Sequence, residues 1–170
     1  MQSANHPMTY EPGRERRPQF WRLAMRCAQI AGTVDVIFFF LFHALGSPIL
    51  AWVNVVSVAM YAGAYYALKY QKNKIAVVLI WAEVLGHAGL GIVLIGWESG
   101  FHYYLLMFIP AICVSASRRW AVYALLTLWG YYIALDVLMW YIAPLQPIPQ
   151  TALHIVHLFN LSVVFAMFSY

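Results

Sequence analysis

The sequence predicts an all-α integral membrane protein: a bundle of six transmembrane helices with the N- and C-termini cytoplasmic. Three observations carry this. First, 64% of the 170 residues are hydrophobic and only 9% charged, against about 25% charged in a soluble domain. Second, the apolar runs are continuous and helix-length, with none of the alternation of barrel strands. Lipid leaves only such helices or a closed barrel, because every backbone polar group must be satisfied internally. Third, all ten Lys and Arg lie before the first run, between the second and third, or between the fourth and fifth. The positive-inside rule puts those connections in the cytoplasm.

The elements follow in order. Residues 1–13 are polar, hold Pro7, Pro12 and Gly13, and read as a disordered cytoplasmic tail rather than a cleavable signal peptide. Residues 14–26 interleave Arg14, Arg16, Arg17, Arg22 and Arg26 with Phe20, Trp21, Leu23 and Met25, the pattern of a basic amphipathic interfacial helix. Residues 27–170 form the six-span domain. The first span, 27–45, turns at Gly46-Ser47-Pro48 into the second, 49–68. Lys69, Lys72 and Lys74 mark a basic loop before the third, 75–95. The turn Gly96–Gly100 leads to the fourth, 101–115, which is short for a span. Arg118-Arg119 precede the fifth, 120–142. Pro144, Pro147 and Pro149 then build a loop that cannot continue a helix. The sixth runs from Thr151 to Tyr170 without a polar exit, which predicts a cytoplasmic continuation.

The formal net charge of +4 sits at membrane edges, so the partner it implies is the lipid bilayer and not nucleic acid. Cys27 and Cys113 have no metal-site spacing, and both fall near the cytoplasmic side, where a disulfide is not expected.

Ionisable groups inside spans are costly and face the bundle interior. Here they are Asp35, His43, Glu83, His87, Asp136, His154 and His157, with His102 at a helix start. At about 1.5 Å rise per residue, His87 lies about 13 Å below Gly96, and Asp35 and Glu83 lie near the midplane. All five histidines after the tail fall in the outer half. Glu83 and His87 share a helical face, as do His154 and His157. Three chemistries compete for this set. Imidazoles with carboxylates suit a transition metal such as Cu, Zn or Fe. Two histidines from facing helices would hold a haem. Hydrogen bonding across helices would hold the bundle together with no ligand at all. Candidate metal or ligand-binding residues are thus His43, Glu83, His87, His102, Asp136, His154 and His157, supported by Asp35, Trp97 and Glu98. No catalytic constellation is present: His154-x-x-His157 is a single histidine pair, and Ser99 reads as a helix N-cap before Phe101. Gly86, Gly89 and Gly91 predict close helix approach along the third span.

The stretch Gly96-Trp97-Glu98-Ser99-Gly100-Phe101-His102-Tyr103-Tyr104-Leu105 resembles the third-to-fourth span connection of the six-helix membrane-associated sensor modules (MASE-type) of bacterial class III adenylate and guanylate cyclases, and of related modules preceding diguanylate cyclases. Glu98 stands at the acidic position of that pattern. The resemblance implies a sensory and dimerising input domain in a bacterial inner membrane, linked covalently to a cytoplasmic cyclase domain, adenylate cyclase first. It implies a homodimer, since class III cyclase sites form between two subunits. In this expectation the Gly96–Tyr104 turn is the outer mouth of the histidine site. A haem- or quinone-binding redox protein is the alternative, and a transporter fragment with a proton path through Asp35, Glu83 and Asp136 is a third reading.

Overall fold

The computed structural model describes residues 16–115 and 117–169. The polar tail 1–13 therefore lies outside the described residues. Helix α1 spans Arg16–Ala44, α2 Pro48–Lys69 and α3 Asn73–Ile95. A 3-10 turn over Trp97–Ser99 leads to α4, Tyr103–Leu106, and α5, Phe108–Ser115. Helix α6 spans Arg118–Tyr141 and α7 Gln150–Ser169. No strand occurs among the described residues. Residues 16–44 form one uninterrupted helix, so the described part of the arginine-rich stretch runs straight into the first apolar run.

Five helices are long and apolar enough to cross a membrane: Gln19–Ala44, Pro48–Lys69, Asn73–Ile95, Arg118–Tyr141 and Gln150–Ser169. Their outer faces carry large apolar side chains in the open, among them Phe40, Trp52, Trp129 and Phe165. Such a surface belongs in lipid, and the protein is a multi-pass membrane protein.

The segment 101–115 is two short helices instead of one continuous span. The reason is Pro110. It has no N–H to give the carbonyl of Leu106, and its ring crowds that carbonyl. Breaking the helix at Met107, whose amide bonds back to Tyr104 O at 3.2 Å, puts Pro110 in the first turn of α5, where no donor is needed.

Helix α1 packs along α2, and α2 along α3. The core between them is aromatic: Phe38, Phe42 and Phe101 are buried, with Phe38 and Phe42 stacked at 5.2 Å between ring centroids. Helix α7 packs on the 3-10 turn and α4. The proline loop folds back over the end of α3. Leu145 N donates to Val93 O at 3.1 Å and Gln146 N to Leu94 O at 2.7 Å, which satisfies carbonyls that the helix end leaves open.

The glycines of α3 differ. A Cβ on Gly91 would meet the Phe101 ring at 2.5 Å, so Gly91 is the seat of that ring. Gly89 leaves room for Tyr131, whose hydroxyl donates to Leu85 O at 2.8 Å. Gly86 has open space around it, so among these three glycines close approach is confined to the C-terminal part of the helix.

Candidate ligand site at the middle of the bundle

Three ionisable side chains from two helices meet at the centre of the bundle. Asp35 on α1 and Glu83 and His87 on α3 are each at least nine-tenths buried. Each offers one donor atom, and these three atoms lie within 4.8 Å of one another. Glu83 and His87 are brought together by the i, i+4 geometry of one helix, with Oε1 3.1 Å from Nδ1. Asp35 arrives from α1, about one turn from the buried Phe38 and two from the buried Phe42.

Helix α2 supplies the third wall. Asn54, Ser57 and Tyr61 follow each other at spacings of three and four, and all are buried. Ser57 Oγ stands 2.9 Å from His87 Nδ1. The Tyr61 hydroxyl lies beside the Glu83 carboxylate. Asn54 donates to Leu50 O at 2.6 Å.

The polar groups exceed the partners present. Asp35 Oδ2 and Glu83 Oε2 are buried without a hydrogen-bond partner. An orphaned buried acceptor costs about 1–3 kcal/mol, and more when charged. Two carboxyls and one imidazole in an apolar bundle need a shared proton or a cation to balance them. The set is two oxygens and one nitrogen, suited to a divalent first-row ion, with one coordination position left open.

The trio closes one end of a cavity of about 610 Å³. Phe38, Ala88 and Tyr104 join the trio at that end, and most of the remaining wall comes from the start of α1, the end of α2, the starts of α3 and α6, and the ends of α5 and α7. Those ends all belong to the half of the bundle that carries the Lys and Arg residues. The cavity therefore leads away from the Gly96–Tyr104 turn. The turn itself is packed shut: Phe101, His102 and Ser99 are buried, and Trp97 stacks on the His102 ring at 4.4 Å. It is a plug over the trio, where the sequence suggests a mouth. Ser99 does not cap a helix, since its hydroxyl donates to Gly96 O at 2.6 Å.

The remaining sequence-predicted residues lie elsewhere. His102 is held in an aromatic stack with Trp97, Tyr103 and Tyr132, and its Nδ1 has no partner. His43 is exposed and stacks on Phe39. His154 is exposed beside Gln150. His157 is half-buried, with Nδ1 2.9 Å from Glu98 O. Asp136 is half-buried on α6. Glu98 accepts from Gln150 at 3.2 Å. Among the described residues only Asp35, Glu83 and His87 form a metal-capable group.

Sequence reasoning missed the hydroxyl and amide partners. Ser57 and Tyr61 were readable as a polar stripe with Asn54 on one face of α2. Asn160 is the other. It accepts from Tyr104 Oη at 2.8 Å and donates to Ser99 O at 2.9 Å. Tyr104 also lines the cavity, so one hydrogen bond joins the cavity wall to α7.

Comparison of the chain with family models, with curated proteins and with solved structures gives no match.

Proposed function

We propose that the chain is a non-catalytic, membrane-embedded input domain that binds a divalent transition-metal ion at Asp35, Glu83 and His87 and passes its occupancy to α7. The observation that carries this is the pair of partnerless, buried carboxylate oxygens beside an imidazole. Zn²⁺ or Fe²⁺ suits two carboxylates and one imidazole better than Cu⁺, which prefers sulfur. Haem is disfavoured because the cavity is lined by a single histidine, His87.

In this reading the chain crosses a bacterial inner membrane six times, with the basic ends cytoplasmic and the broken segment 101–115 as the fourth crossing. The output is a covalently linked class III nucleotide cyclase, adenylate cyclase first, and the module sets its dimer geometry. The resemblance of Gly96–Leu105 supports the cyclase output and the homodimer. Transmission requires that the ion bind two bundle packings unequally. The Tyr104–Asn160 bond is the element placed to differ between them.

The test uses the natural protein that contains this chain, in membranes. Cyclic nucleotide production should change on removal of metal and recover on its return. Glu83→Gln should remove that response while leaving basal production. Production indifferent both to metal and to replacement of Glu83 and His87 would overturn the reading.

A further inference from the structure

A single ion explains the polar end of the cavity and leaves the rest of it unexplained. A water molecule takes about 30 Å³, and the cavity holds about 610 Å³, within the range of sites for drug-sized ligands. Beyond the trio its walls are apolar and aromatic, with Trp21, Trp81, Trp120, Phe108 and Phe168 among them. Water gains little in such a space, and an apolar chain gains much. From Phe20 to Asp35 the α1 wall runs about 22 Å at 1.5 Å per residue. That length suits one extended hydrocarbon tail.

Charge accounting chooses the head. A divalent ion with two carboxylates and a neutral imidazole sums to zero. An anionic head would bring an uncompensated charge to the middle of the bundle, at a cost of several kcal/mol. An ammonium head would face the ion. A neutral oxygen donor takes the open position without either penalty. Tyr61 and Tyr104 line the same end of the cavity.

We propose that the cavity binds a lipophilic molecule with a single apolar tail and a neutral oxygen head, of the quinone or long-chain alcohol class, entering from the basic half of the bundle and placing its head on the ion at Asp35, Glu83 and His87. The head placement rests on the metal reading above, and the tail placement rests on the cavity alone. The module then senses a membrane-dissolved molecule, with the ion as its anchor.

Three of the seven tryptophans line the cavity, and quinones quench indole emission, so the protein reports its own occupancy. Zn²⁺-loaded protein in lipid nanodiscs is titrated with decylubiquinone, with the same quinone lacking its tail, and with decylubiquinone in the presence of dodecanol. Saturable quenching is expected, with the tailed quinone binding about tenfold or more tightly than the tail-free one. Ala124→Phe, which fills the cavity, should weaken tailed-quinone binding by about tenfold; an unchanged zinc content shows that this variant is folded, and Val163→Phe provides the same comparison from α7. Removal of zinc by 1,10-phenanthroline should also weaken binding. Relief of quenching by dodecanol assigns the site to neutral oxygen heads generally; quenching that dodecanol leaves intact assigns it to quinones. Quenching that does not saturate, or that is the same in wild type and both filled variants, overturns the proposal. Equal affinity before and after zinc removal overturns the head placement and with it the proposal. The metal reading is judged separately, by zinc content measured with no quinone present.

Discussion

Ser57 shows how much rests on an uncharged residue. Its hydroxyl stands 2.9 Å from His87 Nδ1, the same nitrogen that approaches Glu83. Partners of this kind orient the imidazole and fix which nitrogen is free to ligate. Ser57→Ala should lower metal affinity about 10- to 100-fold with little change in fold, measured by competition against a chromophoric chelator. Affinity equal to wild type would remove Ser57 from the site. Gly91 makes a packing statement at the same scale. Gly91→Ala drives a methyl into the Phe101 ring and should cost about 1–3 kcal/mol. Gly86→Ala, with open space around it, should be neutral or slightly stabilising. Thermal unfolding in one detergent compares the two directly, and equal shifts would contradict the close contact at Gly91.

Between elements, α7 is tied to the rest by polar contacts from its first residue to its middle: Asn160 to Tyr104 and Ser99, His157 to Glu98, and Gln150 to Glu98. Asn160 is fully buried and carries two of these. Asn160→Leu removes both and leaves Ser99 O without its partner, for a loss of about 1–3 kcal/mol. Tyr104→Phe should cost less, about 1 kcal/mol, yet should uncouple α7 from site occupancy. The check is hydrogen exchange of α7 amides with and without zinc. Metal-dependent protection in wild type should vanish in Tyr104→Phe, and protection that persists would place the coupling elsewhere.

The helices were legible in the sequence because long apolar runs broken by Gly, Pro and basic residues leave few alternatives. The fourth run was legible as apolar but not as broken, since the effect of Pro110 depends on which residue begins the helix. Two of the three site residues were legible as a pair for a similar reason, with Asp35 readable only as a supporting residue at the same depth. Glu83 and His87 are set by the period of one helix. Asp35 joins them through the rotation of α1 about its own axis, which packing decides and no single-helix pattern records. Position along a helix misled as well: His43 and His154 are exposed and His157 faces Glu98, because depth along a helix says nothing about facing.

On the scale of the whole molecule, the basic connections and the Gly96–Gly100 turn lie at opposite ends of α3. In a cysteine-free background, with Cys27 and Cys113 replaced by serine, Glu98→Cys should react with a membrane-impermeant maleimide on intact cells. Lys74→Cys should react only after permeabilisation. The reverse pattern would invert the orientation, and reaction of both on one side would deny that α3 crosses. The predicted orientation would put the cavity in the cytoplasmic half of the bundle and the packed turn outside.

Asp35, Glu83 and His87 are proposed to hold one metal ion together. Elemental analysis of the purified protein, after zinc loading and removal of excess, tests it most directly. About one zinc per chain is expected in wild type, falling to near zero in Asp35→Asn and in His87→Ala. His154→Ala combined with His157→Ala should retain the full complement. A wild-type protein that holds no metal, or variants at the trio that hold as much as wild type, would contradict the account.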